Sequence, residues 1–261
     1  MCRTCLDLRR YFGQPAAQTH PHLVNKGEVT PGVSCAEYEW RRHTFLRKVL
    51  EKAGENIRKH IVIFPSASKL FMSYDIPYPF RQNTEFLYLS GFQEPDSVLL
   101  MHTTESGYKS VLFVPKRDPH SELWDGPRSG DVGAKELTGI TEAYNTESLE
   151  NYLYEYCKNN RDYLVWYHMT KPVHPQFHKS VINEFLKQEG LRTVQSPYPI
   201  IQHMRLVKSP SEISLMTKTT QIASEAFAEV MRYSKPNVSK ELYIFIFLNQ
   251  FNATILVHWF Y

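Results

Sequence analysis

Short apolar runs separated by glycine and proline constrain the fold of this chain more than any other feature. The runs are rich in β-branched and aromatic residues and are punctuated by Pro65, Gly91, Gly107 and Pro115. Such runs favour β-strands, and connections of hairpin length favour antiparallel pairing between some of them. We therefore predict strands at 60–64, 70–74, 85–90, 97–102 and 110–114.

The pattern changes after residue 130, where helical and strand-like segments alternate. A helix predicted at 146–158 places Leu149, Leu153 and Tyr156 on one apolar face. A helix is also predicted at 35–53, where apolar residues recur at helical spacing. The alternation of strand and helix predicts an α/β layer sandwich. The remaining predicted elements are helices at 131–137 and 176–189 and strands at 142–144, 163–168 and 191–195.

A second domain is predicted to begin near residue 201. Pro197, Pro199 and the polar residues up to Lys208 indicate a linker. The sequence SPSE at 209–212 then combines an N-cap serine, a proline at the first helical position and a glutamate two residues later. This start predicts a helix at about 210–233 with a buried apolar stripe. The stripe comprises Ile213, Met216, Thr220, Ala223, Phe227 and Val230.

Charge and cysteine content exclude some functions and leave the N-terminal leader open. The formal net charge is +3 and no basic stripe occurs, which argues against nucleic-acid binding. Four irregularly spaced cysteines favour a reducing compartment, and the Cys2–Cys5 pair lacks a second pair that would complete a zinc site. The basic, acid-poor leader 1–14 is typical of an organelle presequence or, equally, of a disordered N-terminus.

Loop 124–130, with the sequence WDGPRSG, is the candidate binding loop. Arg128 can bind a carboxylate and Trp124 can supply an apolar wall. The alternative is a structural turn in which Arg128 pairs with Asp125 or Asp131. Sequence motifs for phosphate loops and nucleophile elbows are absent. His174 and His178 are four residues apart, and we interpret this pair as surface or capping histidines.

Four motifs stand out along the chain: FRQNTEFLYLSGFQEPDS at 80–97, LFVPKRDP at 112–119, the loop WDGPRSG, and MRLVKSPSEI at 204–213. Together they resemble the aminopeptidase P family. The segments YFGQP at 11–15 and THPHL at 19–23 are similar to the mitochondrial branch of that family. The resemblance extends from about residue 11 to about residue 239.

The resemblance implies a creatinase-like α/β N-terminal domain with a mixed sheet, followed by an α+β metallopeptidase domain that binds two divalent ions, usually manganese. Family members hydrolyse the bond between an N-terminal residue and a following proline. Their ligands are two Asp, one His and two Glu in motifs that this sequence lacks. We therefore expect no metal on this chain and no activity from it alone. By the same resemblance, Trp124 and Arg128 are expected to lie near substrate.

From about residue 240 the chain departs from the family. The expected organisation is a leader and arm at 1–33, the N-terminal domain at 34–200, a linker and first catalytic-domain helix at 201–239, and a non-family apolar tail at 240–261. Two alternatives stay open. The first is a non-catalytic regulator or oligomerisation partner that associates with another copy of itself or with a full-length subunit. The second is a tail-anchored membrane protein, against which the polar residues within 242–261 argue. The expected location is mitochondrial, with cytoplasmic as the alternative.

Overall fold

The computed structural model describes residues 12–54, 59–160, 162–188 and 194–234, together with Glu241 and Ile244. Predictions for residues 1–11 and for most of 240–261 lie outside this part of the chain. The chain divides into two compact units, which are described separately. The first, here called the sheet unit, comprises Met1–Gln14 and Cys35–Leu206, and the second, the arm–helix unit, comprises Pro15–Ser34 and Val207–Tyr261.

In the described part of the sheet unit, an initial helix is followed by strands interspersed with helices, and one pair of strands is connected directly. The arm contributes β1 (Glu28–Thr30) and β2 (Val33–Ser34) to a separate two-stranded sheet. The strands of the sheet unit are β3 (His60–Pro65), β4 (Val98–Thr104), β5 (Gly107–Val114), β6 (Glu142–Asn145), β7 (Leu164–Trp166) and β8 (Val194–Gln195). Its helices are α1 (Cys35–Ala53), α2 (Thr84–Ser90), α3 (Pro119–Asp125), α4 (Gly130–Thr138), α5 (Leu149–Asn159), α6 (Pro175–Phe177), α7 (Asn183–Gln188) and α8 (Tyr198–Leu206).

The sheet is mixed, as the sequence predicted. Its six strands lie in the order β6-β5-β4-β3-β7-β8. Strand β4 pairs antiparallel with both β3 and β5, whereas β5–β6, β3–β7 and β7–β8 are parallel pairs. All strands except β4 therefore run in one direction, so their carboxyl ends lie along one edge of the sheet.

Helices cover both faces of this sheet, which makes the unit a three-layer α/β/α sandwich. Because successive side chains of a strand point to opposite faces, neighbouring residues of one strand enter different cores. On one face, Phe64 and Met101 pack in a cluster with Phe45 of α1. On the other, Ile63 and Leu100 pack in a cluster with residues of α5. The predicted inward residues Leu149, Leu153 and Tyr156 are all buried there.

The prediction of a strand at 85–90 was wrong, because these residues form helix α2. Asn83 caps the helix, since its side chain accepts a hydrogen bond from the Phe86 amide at 2.9 Å. Gly91 ends it in the left-handed region at φ 70° and donates its amide to Leu87 O. The spacing of apolar residues does not distinguish a short buried helix from a buried strand. The capping residues Asn83 and Gly91 are therefore the sequence features that indicate a helix here.

The prediction of a strand at 70–74 was also wrong, because these residues do not join the sheet. Met72 N donates to Ile76 O at 2.7 Å and Tyr78 N donates to Leu70 O at 2.9 Å, which closes a small hairpin. Large apolar side chains of this hairpin are exposed to solvent. We call residues 69–81 the apolar finger, and its exposed apolar residues are Leu70, Phe71, Met72, Tyr74, Ile76, Tyr78 and Phe80.

The predicted linker at 197–208 contains helix α8, which packs into the core of the sheet unit. Ile200, Ile201 and Met204 are buried in the same cluster as Phe45. The predicted domain boundary at residue 200 falls inside this helix, and the compact unit continues to Leu206. The prolines misled the prediction because Pro199 lies in the first turn of the helix, where a missing amide is tolerated.

The arm–helix unit contains the predicted long helix, α9 (Pro210–Tyr233). Its start is the expected capping box, in which Ser209 Oγ accepts from Glu212 N at 3.2 Å and Ser209 N donates to Glu212 Oε2 at 2.8 Å. The apolar stripe is not buried: Ile213, Met216 and Phe227 are all more than half exposed. In the described part of the chain, no helix is both long enough and apolar enough to span a bilayer.

Candidate functional site

The carboxyl edge of the sheet is where the candidate binding loop is located. In α/β sheets, loops that follow the carboxyl ends of neighbouring strands form the usual ligand site. Here the apolar finger follows β3, loop 115–130 follows β5, and residues 167–174 follow β7. Both predicted site residues, Trp124 and Arg128, belong to the loop after β5.

Trp124 and Arg128 differ in their surroundings. Trp124 is 81% exposed near the end of α3. The Arg128 side chain is 18% exposed, and its Nη2 lies 3.9 Å from Asp125 Oδ2. Asp125 Oδ1 in turn accepts from Lys69 Nζ at 2.5 Å, which joins the loop to the base of the apolar finger. The indole is thus open to a ligand, and the guanidinium is only loosely paired with Asp125.

Glu94 fastens the candidate loop to the sheet unit. This residue is 2% exposed, and its Oε1 accepts from Ser129 N at 2.8 Å, from Gly13 N at 3.0 Å and from the Ser129 hydroxyl. Burial raises the pKa of Glu94, while these hydrogen bonds and the nearby Arg128 charge act in the opposite direction. One buried carboxylate therefore holds the residue next to Arg128 and a residue near the N-terminus together.

Gln82 closes the base of the apolar finger. Its Oε1 accepts from Ala67 N and from Asn83 N, each at 2.8 Å. Its Nε2 donates to Glu94 O at 2.9 Å. The buried Gln82 side chain thus joins both ends of the finger to the segment that carries Glu94.

The two histidines singled out in the sequence have structural partners. His174 caps α6, because its Nδ1 accepts from Phe177 N at 3.2 Å, and its Nε2 lies 3.1 Å from Asp96 Oδ1. His178 stacks on Tyr167 with the rings 8° from parallel and a hydrogen bond of 3.1 Å to its hydroxyl. Their separate partners fit the interpretation as capping and surface histidines.

Sequence reasoning did not single out Glu94 or Gln82, although both lie in the motif at 80–97. Both residues stand among polar neighbours, in RQNTE and QEPDS, so no local pattern marks either of them as buried.

The residues described by the structure do not fit a dinuclear metal centre. Across the described ranges, no three His, Cys, Asp or Glu side chains come together in a way that could hold a metal ion. On α9, Glu225 accepts from Gln221 Nε2 at 3.1 Å, and Glu229 is paired with Arg232. Two bridged ions require several carboxylates around them. The acids of this helix are instead occupied at its surface.

Comparisons with known proteins agree with the fold. The family model "Aminopeptidase P, N-terminal domain" matches residues 38–166. The zinc-substituted aminopeptidase P of Escherichia coli in complex with product superposes with a TM-score of 0.72 at 25% identity, over 85% of this chain and 50% of that one. The mixed α/β sheet unit, with its loops at the carboxyl edge, is thus of the aminopeptidase P N-terminal class.

The sequence relatives carry the family assignment further. Xaa-Pro aminopeptidase 3 of Mus musculus is 42% identical over 92% of this chain and 51% of its own length. The mitochondrial intermediate cleaving peptidase 55 of Arabidopsis thaliana is 30% identical over 87% of this chain and 43% of its own length. The chain belongs to the aminopeptidase P family, and it spans about half the length of the relatives it matches.

Proposed function

We propose that the sheet unit is the N-terminal domain of an Xaa-Pro aminopeptidase and that the 261-residue polypeptide by itself does not cleave Xaa-Pro bonds. In the family reaction, a metal centre that is usually manganese supplies the activated water. On this chain, Trp124 and Arg128 act near the substrate, where Arg128 binds a carboxylate and Trp124 shields an apolar group. The observation that carries the proposal is the position of both residues at the carboxyl edge of a family-type sheet.

The lack of activity follows from the available metal ligands. After Ser209 the sequence contains no aspartate, four glutamates and one histidine. Manganese prefers oxygen ligands, and a pair of ions needs bridging carboxylates from several elements. Glu225 and Glu229 lie on one helix, so they cannot surround two ions.

A peptidase assay tests this proposal. We expect the purified 261-residue polypeptide with added manganese to release no N-terminal residue from a peptide whose second residue is proline. A bacterial aminopeptidase P assayed in parallel provides the positive control. Turnover by this polypeptide that a chelator abolishes would contradict the proposal, because it would require a metal centre that these residues do not form.

We propose as a second candidate function that the sheet unit associates with the same domain of another molecule, which is either a second copy of this chain or a longer subunit. The apolar finger and the neighbouring Leu123 and Trp124 form the surface that supports this function. Their exposed fractions range from 37% for Phe80 to 106% for Tyr74. Since each large side chain offers roughly 150–250 Å², the surface exposes on the order of 1,000 Å², which matches the roughly 800 Å² per partner of a standard interface.

Charge on this surface is compatible with a symmetric pair. Lys69 at the base is balanced by Asp125, and Asp75 near the tip and Arg81 have opposite charges. Aromatic residues and methionine, which are enriched at interface centres, make up five of the seven exposed apolar residues of the finger. Two copies of such a surface would therefore meet without strong repulsion.

Sedimentation velocity tests the association directly. We expect the wild-type chain to dimerise at micromolar concentration. The double variant Phe71→Ser/Tyr74→Ser should raise the dissociation constant of the dimer at least about tenfold. The reason is that aromatic residues at interface hot spots contribute about 2 kcal/mol or more, and a tenfold change in affinity corresponds to about 1.4 kcal/mol. Tyr154→Ser, at a residue of α5 that is 59% exposed, is the control and should leave the dimer intact. A wild-type chain that stays monomeric at about 50 μM would rule out this function.

We also propose a mitochondrial location. The Arabidopsis thaliana relative is named as mitochondrial, and the leader of this chain is basic and poor in acids. Fusing residues 1–33 to a fluorescent reporter tests the leader, and a diffuse cytoplasmic signal would contradict this location.

A further inference from the structure

The N-terminal residues Phe12–Gln14 are fixed in the sheet unit by contacts far away in sequence. Phe12 and Gln14 are each 5% exposed. Gln14 Nε2 donates to Gly91 O at 3.2 Å, and its Oε1 accepts from Gln93 N at 2.6 Å. The Gln14 side chain therefore hydrogen-bonds the backbone of the residues before and after Phe92, as the backbone of a neighbouring strand would.

Gly13 leaves no space between the N-terminal segment and Glu94. A Cβ atom at this position would lie 2.6 Å from Glu94 Oε1 and 2.7 Å from its Cδ. The Gly13 amide donates to Glu94 Oε1 at 3.0 Å, and it lies 3.4 Å from Ser129 Oγ. Because contacts under 3.0 Å do not occur for a real Cβ, any side chain at residue 13 must displace the carboxylate.

The same carboxylate orders the candidate loop. Ser129 is 1% exposed, and both its amide and its hydroxyl donate to Glu94 Oε1. The next residue, Gly130, has φ 61° and would place a Cβ 2.9 Å from Arg117 Cγ. Ser129 is therefore held on one side by Glu94 and followed by a tightly packed glycine, so the backbone after Arg128 has little freedom.

We infer that Glu94 is a positioning residue that couples the N-terminal segment Phe12–Gln14 to loop 124–130, so that loss of the segment's contacts loosens the loop that presents Arg128. Three donors, two from the loop and one from the segment, converge on one oxygen. Loss of the segment's contacts shifts Glu94 Oε1 and weakens its hydrogen bonds from the Ser129 amide and hydroxyl. Processing of the leader must therefore spare Phe12–Gln14 if the loop is to stay ordered.

Hydrogen exchange followed by mass spectrometry tests this coupling in the full chain, independently of peptidase activity and of dimerisation. We expect Gly13→Ala and Gln14→Ala, which do not alter the loop itself, to speed amide exchange in segment 126–133 about tenfold, the scale expected when a buried donor loses its acceptor. Exchange in strands β4 and β5 should remain within about twofold of wild type, because their ladders are not touched.

Glu94 variants supply the controls. Glu94→Ala should speed exchange in segment 126–133 by at least about tenfold, and Glu94→Gln, which retains an oxygen acceptor, by clearly less. Glu105→Ala, at the exposed turn between β4 and β5, should change nothing in this segment. Adding Gly13→Ala to Glu94→Ala should have no further effect, since the side chain that a Cβ would strike is then absent.

Unchanged exchange of segment 126–133 in both Gly13→Ala and Gln14→Ala would overturn the inference. An additive effect of Gly13→Ala in the Glu94→Ala background would also overturn it, because the two residues would then act separately. If Glu94→Ala fails to fold, the Gly13 and Gln14 variants decide the matter with Glu94→Gln in its place.

Discussion

Replacing Phe45 with alanine is expected to lower the free energy of unfolding of the sheet unit by about 3–5 kcal/mol, the usual range for a fully buried phenylalanine. Phe45 is 0% exposed on α1, and its ring meets that of Phe64 at 5.5 Å in an edge-on contact. The variant loses the transfer free energy of the ring and leaves a cavity between α1 and the sheet. For a unit of this size the melting temperature should fall by about 10 °C.

The same substitution at Phe71 provides the control. Phe71 is 52% exposed in the apolar finger, so at a concentration where the chain is monomeric Phe71→Ala should change the free energy of unfolding by no more than about 0.5 kcal/mol. Denaturant titration followed by far-ultraviolet circular dichroism measures both variants. Equal effects of the two substitutions would show that the core is not organised around α1 as described.

Replacing Gln82 with alanine is expected to cost about 2–4 kcal/mol, which is large for a polar residue. The reason is that four groups lose a partner: Ala67 N and Asn83 N lose an acceptor, and Glu94 O and Phe92 O lose a donor. Each buried group left without a hydrogen bond costs about 1–3 kcal/mol, although water entering the gap recovers part of the loss. The same denaturant titration gives the value.

Two further variants separate this role from a general effect of losing glutamine. Gln202→Ala removes an exposed glutamine on α8 and should be neutral within about 0.5 kcal/mol. Gln82→Glu retains an acceptor for the two amides but places a carboxylate against Glu94 O and Phe92 O, so it should also destabilise. A stable Gln82→Ala variant would mean that the finger does not depend on this side chain.

The fold was predictable from the sequence wherever a hydrophobic pattern ran long enough to reveal its period. Helix α1 was predicted with the bounds that it has, and α5 and α9 to within a few residues. The errors fall on shorter segments. Residues 84–90 form a helix because of Asn83 and Gly91, and α8 forms despite its prolines because Ile200, Ile201 and Met204 reach the core. The caps of the first helix are a local signal, whereas the burial that decides the second is tertiary, and no local pattern reports it.

The candidate site was predictable only in part. The loop with Trp124 and Arg128 could be located because glycine and proline fix its backbone and because the motif resembles a known family. The residues that hold it could not be located, since Glu94 and Ser129 are 35 positions apart, and Gly13 and Ser129 are 116 apart. Such pairs become neighbours through the order of strands in the sheet, which a single sequence does not reveal.

The closed base of the apolar finger makes residues 70–80 a natural place to graft foreign peptides. Gln82 and the paired backbone at Leu70 and Tyr78 hold the two ends together, and the strands on either side keep their alignment whatever lies between. An epitope or a display sequence inserted near Tyr74 would project into solvent from a scaffold that does not rely on it for folding.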